Sequence, residues 1–213
     1  MIPCISIDGV DGSGKTTLIQ NLSKKYNVVT LPRFYSMGMV PGDQEERCQW
    51  FRTQDAIYTT PIYISGYRLR IHLASEFKKG FHYKVKQNAQ NLIAIDRGLI
   101  SLKAFSYASM KKNSNLNDSD IVQFLKKYIT PDFEDEVKEV IDKQILLFSP
   151  EPTSLDQLLS RRQYGKDDEL LIRYQYEYYL RYFKTFSEAV IISPFESPDK
   201  IVSQVDDLIK GAK

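Results

Sequence analysis

Residues 4–17 read CISIDGVDGSGKTT. An apolar run of the length of one buried strand closes at Asp8, and three glycines, a lysine and three hydroxyl residues follow from Gly9 to Thr17. Gly9, Gly14, Lys15 and Thr16 satisfy the pattern G-x-x-x-x-G-K-[ST] between a predicted strand and a predicted helix, which is the context that pattern requires. The glycines let the backbone curl so that successive N–H groups point inward at phosphate oxygens, and the helix that follows adds the positive end of its dipole. Gly9, Gly12, Ser13, Gly14, Lys15, Thr16 and Thr17 are therefore expected to cradle the phosphates of ATP. Within that set Lys15 reaches the transferring phosphate and Thr16 ligates magnesium.

Outward from this loop, short apolar runs alternate with longer stretches of helical period. The runs are CISI, NVVTLP, NLIAID, QILLFS and AVIIS. Helices are expected over 15–25, over 45–80 in broken pieces, over 99–127 in two pieces, and over 153–163, 168–186 and 198–210. Strands alternating with helices predict an α/β fold, a doubly wound five-stranded parallel sheet of the P-loop NTPase type. No repeat and no Pro, Gly or Ser-rich linker divides the chain, so residues 1–213 are expected to form a single kinase-sized domain with a mobile lid at about 160–168.

Composition narrows the partners. Lys and Arg total 29 against 27 Asp and Glu, an excess too small to make a nucleic-acid backbone the main partner. Two cysteines and two histidines at unrelated spacings build neither a disulfide framework nor a metal site. There is no basic leader and no run of about 18 apolar residues, so a soluble, unprocessed protein of the reducing cytoplasm is expected, without a membrane partner. A homodimer is compatible with this reading.

A phosphate loop selects a nucleotide, and the rest of the chain selects the reaction. The base-reading Asn-Lys-x-Asp of a GTPase is missing, and the chain is short for a mechanical ATPase. A small kinase is the economical reading. The sequence resembles the thymidylate kinase family of nucleoside monophosphate kinases along nearly its whole length. The resemblance rests on GVDGSGKTT with Asp11 at its third position, on DRG at Asp96–Gly98 where the family has Asp-Arg-Tyr, and on SGYRLRIH with Arg68 on the acceptor arginine. It is supported by LPRF at Leu31–Phe34 and by SRRQYGKDD in the place of the lid. It implies ATP and magnesium, transfer to a pyrimidine deoxynucleotide, thymidylate first, and a role in nucleotide biosynthesis.

Loops at the carboxyl ends of parallel strands converge on one crevice, which would gather the phosphate loop, Arg33, Asp96 and Arg97. Phosphoryl transfer asks for positioned cations, and a planar guanidinium grips phosphate bidentately, so Arg33 and Arg97 are the candidates for the acceptor phosphate. Asp96 is the candidate to hold magnesium through water. Phe34, Tyr63 and Tyr67 are candidates to stack on the acceptor base and Arg68 to donate to it, and the resemblance implies that Ser101 and Ser106, at positions where the family has small polar residues or glutamine, lie beside it. In one branch of the family an arginine follows the loop aspartate; here that position is Gly12, which implies that Arg161, Arg162 and Lys166 of the lid bring the missing charge. Gly98 removes the family tyrosine, and an acidic helical segment over 134–142 has no counterpart there. The alternatives are a deoxynucleoside kinase of the same fold, which would need a carboxylate near the end of the second strand, and a nucleotide-binding regulator without turnover.

Overall fold

The computed structural model describes residues 2–31, 42–43, 46–47, 49–50, 54–80, 90–161 and 163–211. Its centre is a sheet of five parallel strands in the order β2-β3-β1-β4-β5, formed by β1 (Cys4–Asp8), β2 (Asn27–Thr30), β3 (Asn91–Asp96), β4 (Lys143–Leu147) and β5 (Ala189–Ile192). All five predicted strands are present, the second ending two residues earlier than expected. The register sets Ile7 beside Asp96 and Asp8 beside Leu146, so the carboxyl ends of the three central strands finish level with one another.

Side-chain alternation along the strands sorts the core into two faces. Ile5, Ile7, Leu92, Ala94, Ile145 and Leu147 point to one side. There they meet α1 (Lys15–Leu22) and α8 (Pro198–Lys210). Cys4, Ile93, Ile95, Leu146 and Phe148 point to the other. That side is covered by α2 (Ala56–Lys78), α3 (Leu99–Asn113), α4 (Asp118–Tyr128), α5 (Pro131–Val140) and α7 (Lys166–Tyr182). The short α6 (Ser154–Ser160) follows β4, and a 3-10 turn at Phe183–Thr185 closes α7.

Two elements differ from expectation. α2 runs unbroken through Pro61, where breaks were predicted. The proline lies in the second turn, where the helix loses one backbone bond, and Ser65 Oγ donates to the Pro61 carbonyl at 2.9 Å one turn later. The acidic segment is a packed helix that begins earlier than 134: Thr130 caps it, Pro131 occupies its first turn, and Phe133, Val137 and Val140 are buried.

Candidate functional site

The loop Gly9–Gly14 joins β1 to α1 and turns on backbone that only glycine adopts readily. Gly9 has φ +141°, and a Cβ there would lie 2.6 Å from Ser13 Oγ and 2.7 Å from the Leu147 carbonyl. Gly14, at φ +92°, hands the chain to α1. Lys15 is buried, and its ammonium donates to the carbonyls of Gly9 (2.7 Å) and Val10 (2.8 Å). Burial, and after it the Arg97 charge, pull this ammonium from its usual 10.5 down to about 8, against the attraction of Asp11, Asp96 and Asp8. Thr16 and Thr17 are exposed on the first turn of α1.

β3 delivers Asp96 and Arg97 beside this loop. The ladder continues one step past the strand, with the Arg97 N–H donating to the Ile7 carbonyl at 2.9 Å. Arg97 then turns left-handed, at φ +66°, and is the single non-glycine residue with positive φ among those described. Two partners fix it. Its guanidinium forms an ion pair with Asp11 of the loop. From below, Arg70 of α2, 4% exposed, donates Nη2 to the Asp96 carbonyl (2.8 Å) and Nη1 to the Arg97 carbonyl (3.3 Å). Charged donors on backbone carbonyls are among the stronger hydrogen bonds a protein makes.

Arg70 was not among the sequence candidates, and Arg68, which was, lies elsewhere. The Arg68 guanidinium sits 4.6 Å over the Phe133 ring, on the exposed side of α2 against α5. The inward stripe of α2 runs Ile64, Tyr67, Ile71 and Ala74, and Arg70 falls on it one turn after Tyr67. Helical phase alone thus separates the two arginines. Tyr67 is 3% exposed, edge-on to Phe133 at 6.1 Å, with the Arg70 guanidinium 5.8 Å over its ring, so its ring is packed on both counts. Tyr63 pairs with Phe105 at 5.0 Å.

Beneath the loop a second missed residue organises the site. Asp8, fully buried, accepts from the Ser101 N–H (2.7 Å) and from Ser6 Oγ (3.2 Å). It caps α3 from across the sheet, because Gly98 at the helix start has no side chain to do so. Burial pushes the Asp8 carboxyl up, opposed by the hydrogen bonds from Ser101 and Ser6 and by Lys15. A Cβ on Gly98 would stand 2.5 Å from Ser6 Cβ and 2.7 Å from Asp8 Oδ2. The glycine is therefore a close-packing requirement, where the sequence reading saw a missing piece of the acceptor pocket. Ser101 is likewise a tie: its Oγ accepts from the Gly9 N–H at 3.3 Å and shares a 3.2 Å hydrogen bond with Tyr179 of α7. Ser106 is buried in the α3 wall, its hydroxyl without a hydrogen-bond partner among the described residues.

Arg161 and Tyr164, between α6 and α7, lie against the phosphate loop. Arg161 donates to the Gly12 carbonyl (3.1 Å) and the Pro194 carbonyl (2.7 Å), with its guanidinium 4.9 Å over the Phe195 ring. The Tyr164 hydroxyl lies 2.5 Å from where a Cβ on Gly12 would be. Lys166 opens α7. Arg33, Phe34 and Arg162 lie outside the described residues.

Among the described residues no group of three or more His, Cys, Asp or Glu side chains is arranged to hold a metal ion. The oxygens near the loop that suit a hard cation are the exposed Thr16 hydroxyl and the Asp96 carboxylate at the end of β3. Two such ligands fit magnesium, which takes most of its shell from phosphates and water.

No protein-family model matches this sequence, and no curated protein matches it. Solved structures do. A deoxyadenosine kinase from M. mycoides with bound dATP superimposes with a TM-score of 0.58 at 16% identity, covering 98% of this chain and 99% of that one. A thymidylate kinase from Candida albicans gives 0.62 at 14% identity, covering 99% and 92%. This chain has the P-loop kinase fold. In that fold the crevice at the carboxyl ends of β1 and β3 is where the sheet order reverses, and Lys15, Asp11, Asp96 and Arg97 all lie there. None of the helices described in this P-loop kinase fold is long and apolar enough to cross a membrane.

Proposed function

We propose that this protein transfers the γ-phosphate of ATP to a pyrimidine deoxynucleoside monophosphate, thymidylate in first place. The observation that carries the reading is Arg97, held left-handed at the end of β3 by Arg70 and Asp11 and facing the loop that presents Lys15. It supplies a cation beside the phosphate loop, positioned by bonds that do not depend on substrate. An attacking phosphate oxygen is already anionic, so the acceptor needs a grip and no base. The new P–O bond forms from that oxygen to the γ-phosphorus as the bond to the bridging oxygen of ADP breaks. Lys15 meets the charge on the transferring group, and Arg97 leaves Asp11 to hold the acceptor phosphate. Thr16 and Asp96 would hold magnesium, which when bound neutralises phosphate charge.

Asp8 is committed to Ser101 and Ser6, and the sequence that follows the second strand, LPRFYSMG, carries no acid to serve as base, which disfavours activation of a neutral hydroxyl. The similarity to a deoxyadenosine kinase over 99% of its length keeps a deoxynucleoside acceptor as the second reading. ADP release measured against dTMP, dUMP, dCMP, dAMP, thymidine, deoxycytidine and deoxyadenosine decides between them. Faster turnover of a nucleoside than of its monophosphate would overturn the first reading, and no turnover with any acceptor would leave nucleotide binding alone.

A further inference from the structure

Away from the phosphate loop, a cavity of about 380 Å³ opens between α3, α4, α5 and α7 and reaches the first half of β4 at Gln144 and the start of β5 at Ala189. That is the opposite end of these strands from the loop. Its volume is within the range of small-molecule sites. One wall is the acidic helix α5, which the kinase reading leaves without a role.

The floor is apolar, made by Leu99, Ile100, Leu125 and Ile129. Polar groups stand round it. Two of its three lysines are neutralised: Lys103 by Glu134 at 2.6 Å and Lys138 by Glu188 at 3.6 Å, both acids belonging to the same lining. Lys126 is the third, and no ion pair involves it among the described residues. The Tyr178 hydroxyl and the Gln144 amide also line the cavity and have no hydrogen-bond partner among the described residues, although Tyr178 as a whole is only 7% exposed. The lining thus offers one uncompensated cation, two neutral hydrogen-bonding groups and an apolar base. These groups face the cavity from its mouth and walls, with Lys126 exposed and Gln144 half-buried, so a ligand entering it can take hydrogen bonds that water otherwise makes.

We infer that this cavity binds a small organic anion, an aromatic or aliphatic body carrying a single carboxylate, sulfonate or phosphate, with Lys126 on the anionic group and Tyr178 and Gln144 as hydrogen-bond partners. The inference is independent of the proposed kinase activity. The site also lies directly behind the first turn of α3, the turn that Asp8 caps through Ser101.

The probe is 8-anilinonaphthalene-1-sulfonate, a naphthalene body with one sulfonate whose emission rises on burial, titrated into the full chain alone and then challenged with ATP or with dTMP, each added separately to excess. One equivalent is expected to bind. Lys126→Glu should weaken binding at least tenfold and Tyr178→Phe several-fold, while Lys127→Glu, one residue along α4 and outside the lining, should leave it unchanged. Val122→Trp, at a half-buried lining position, should block the site without disturbing the core. Displacement by ATP or dTMP, failure to bind, or equal affinity in Lys126→Glu and the parent chain overturns the assignment.

Discussion

Replacing Arg70 by lysine keeps the charge and removes the fork. The guanidinium spans two carbonyls at 2.8 and 3.3 Å, a geometry that a single ammonium on a different stem does not reproduce. At least one charge-assisted bond is lost, and hydrogen bonds to charged groups contribute about 1.5–3 kcal/mol each. For a chain of 213 residues that corresponds to a fall in Tm of roughly 3–12 °C. The larger effect falls on Arg97. A non-glycine residue in the left-handed region costs about 1–3 kcal/mol and stays there only while its surroundings over-determine it. With the brace weakened, Arg97 relaxes toward ordinary backbone and its guanidinium moves by an ångström or more, a misplacement that costs about 10²-fold in rate. We therefore expect kcat/KM for the monophosphate to fall by about two orders of magnitude in Arg70→Lys, with the KM for ATP changed only a few-fold because Lys15 is untouched. Steady-state kinetics beside a melting curve makes the measurement. A folded Arg70→Lys enzyme with kcat/KM within threefold of the parent would refute the bracing role, whatever its melting temperature.

Lys15→Met should reduce turnover by roughly 10³-fold or more while the chain stays folded. Because burial brings the Lys15 ammonium down to about 8 and the proposed reaction needs its charged form against phosphate, affinity for an ATP analogue should weaken as pH rises above 8, by up to about tenfold per pH unit. In Lys15→Arg, which does not titrate there, calorimetric titration from pH 7 to 9.5 should show no such trend. Gly98→Ala drives a Cβ into Ser6 and Asp8 and should cost about 1–3 kcal/mol in urea unfolding; an unchanged midpoint would disprove the close packing. Arg161→Ala loses the bonds to Gly12 and Pro194 and should lower turnover at least tenfold. Adding Gly12→Arg should fail to restore it, since Tyr164 occupies the space beside that position.

The strands and the phosphate loop were legible because burial on both faces leaves continuous apolar runs, and because a nested loop demands glycine at fixed spacings. Asp96 and Arg97 were legible as polar residues closing such a run. What escaped was relational. Arg70 and Arg68 are two residues apart on one helix, and only the phase of Ile64, Tyr67 and Ile71 tells which faces inward. Asp8 reads as the last residue of a strand, and nothing local shows that its carboxylate caps a helix starting ninety residues later. Gly98 reads as a loss until Ser6 is seen against it. Ser101 reads from the sequence as a candidate to lie beside the acceptor base, and only the fold shows its hydrogen bonds to Gly9, Asp8 and Tyr179.

Segment 161–165 joins α6 to α7, and both of these helices are tied to the rest of the chain. On the α7 side Tyr179 is tied to Ser101 and hence to the phosphate loop. On the α6 side Ser154 donates to Ser149 at 2.8 Å, and Tyr176 reaches back from α7 to the Ser149 carbonyl at 2.7 Å. Both attachments sit on the body that carries the phosphate loop. Only five residues separate the end of α6 from the start of α7, a contour of about 3.4 Å each. If the proposed kinase releases its product past so short a connection, lengthening the segment by a few residues should speed that release, which single-turnover and steady-state rates compared would show.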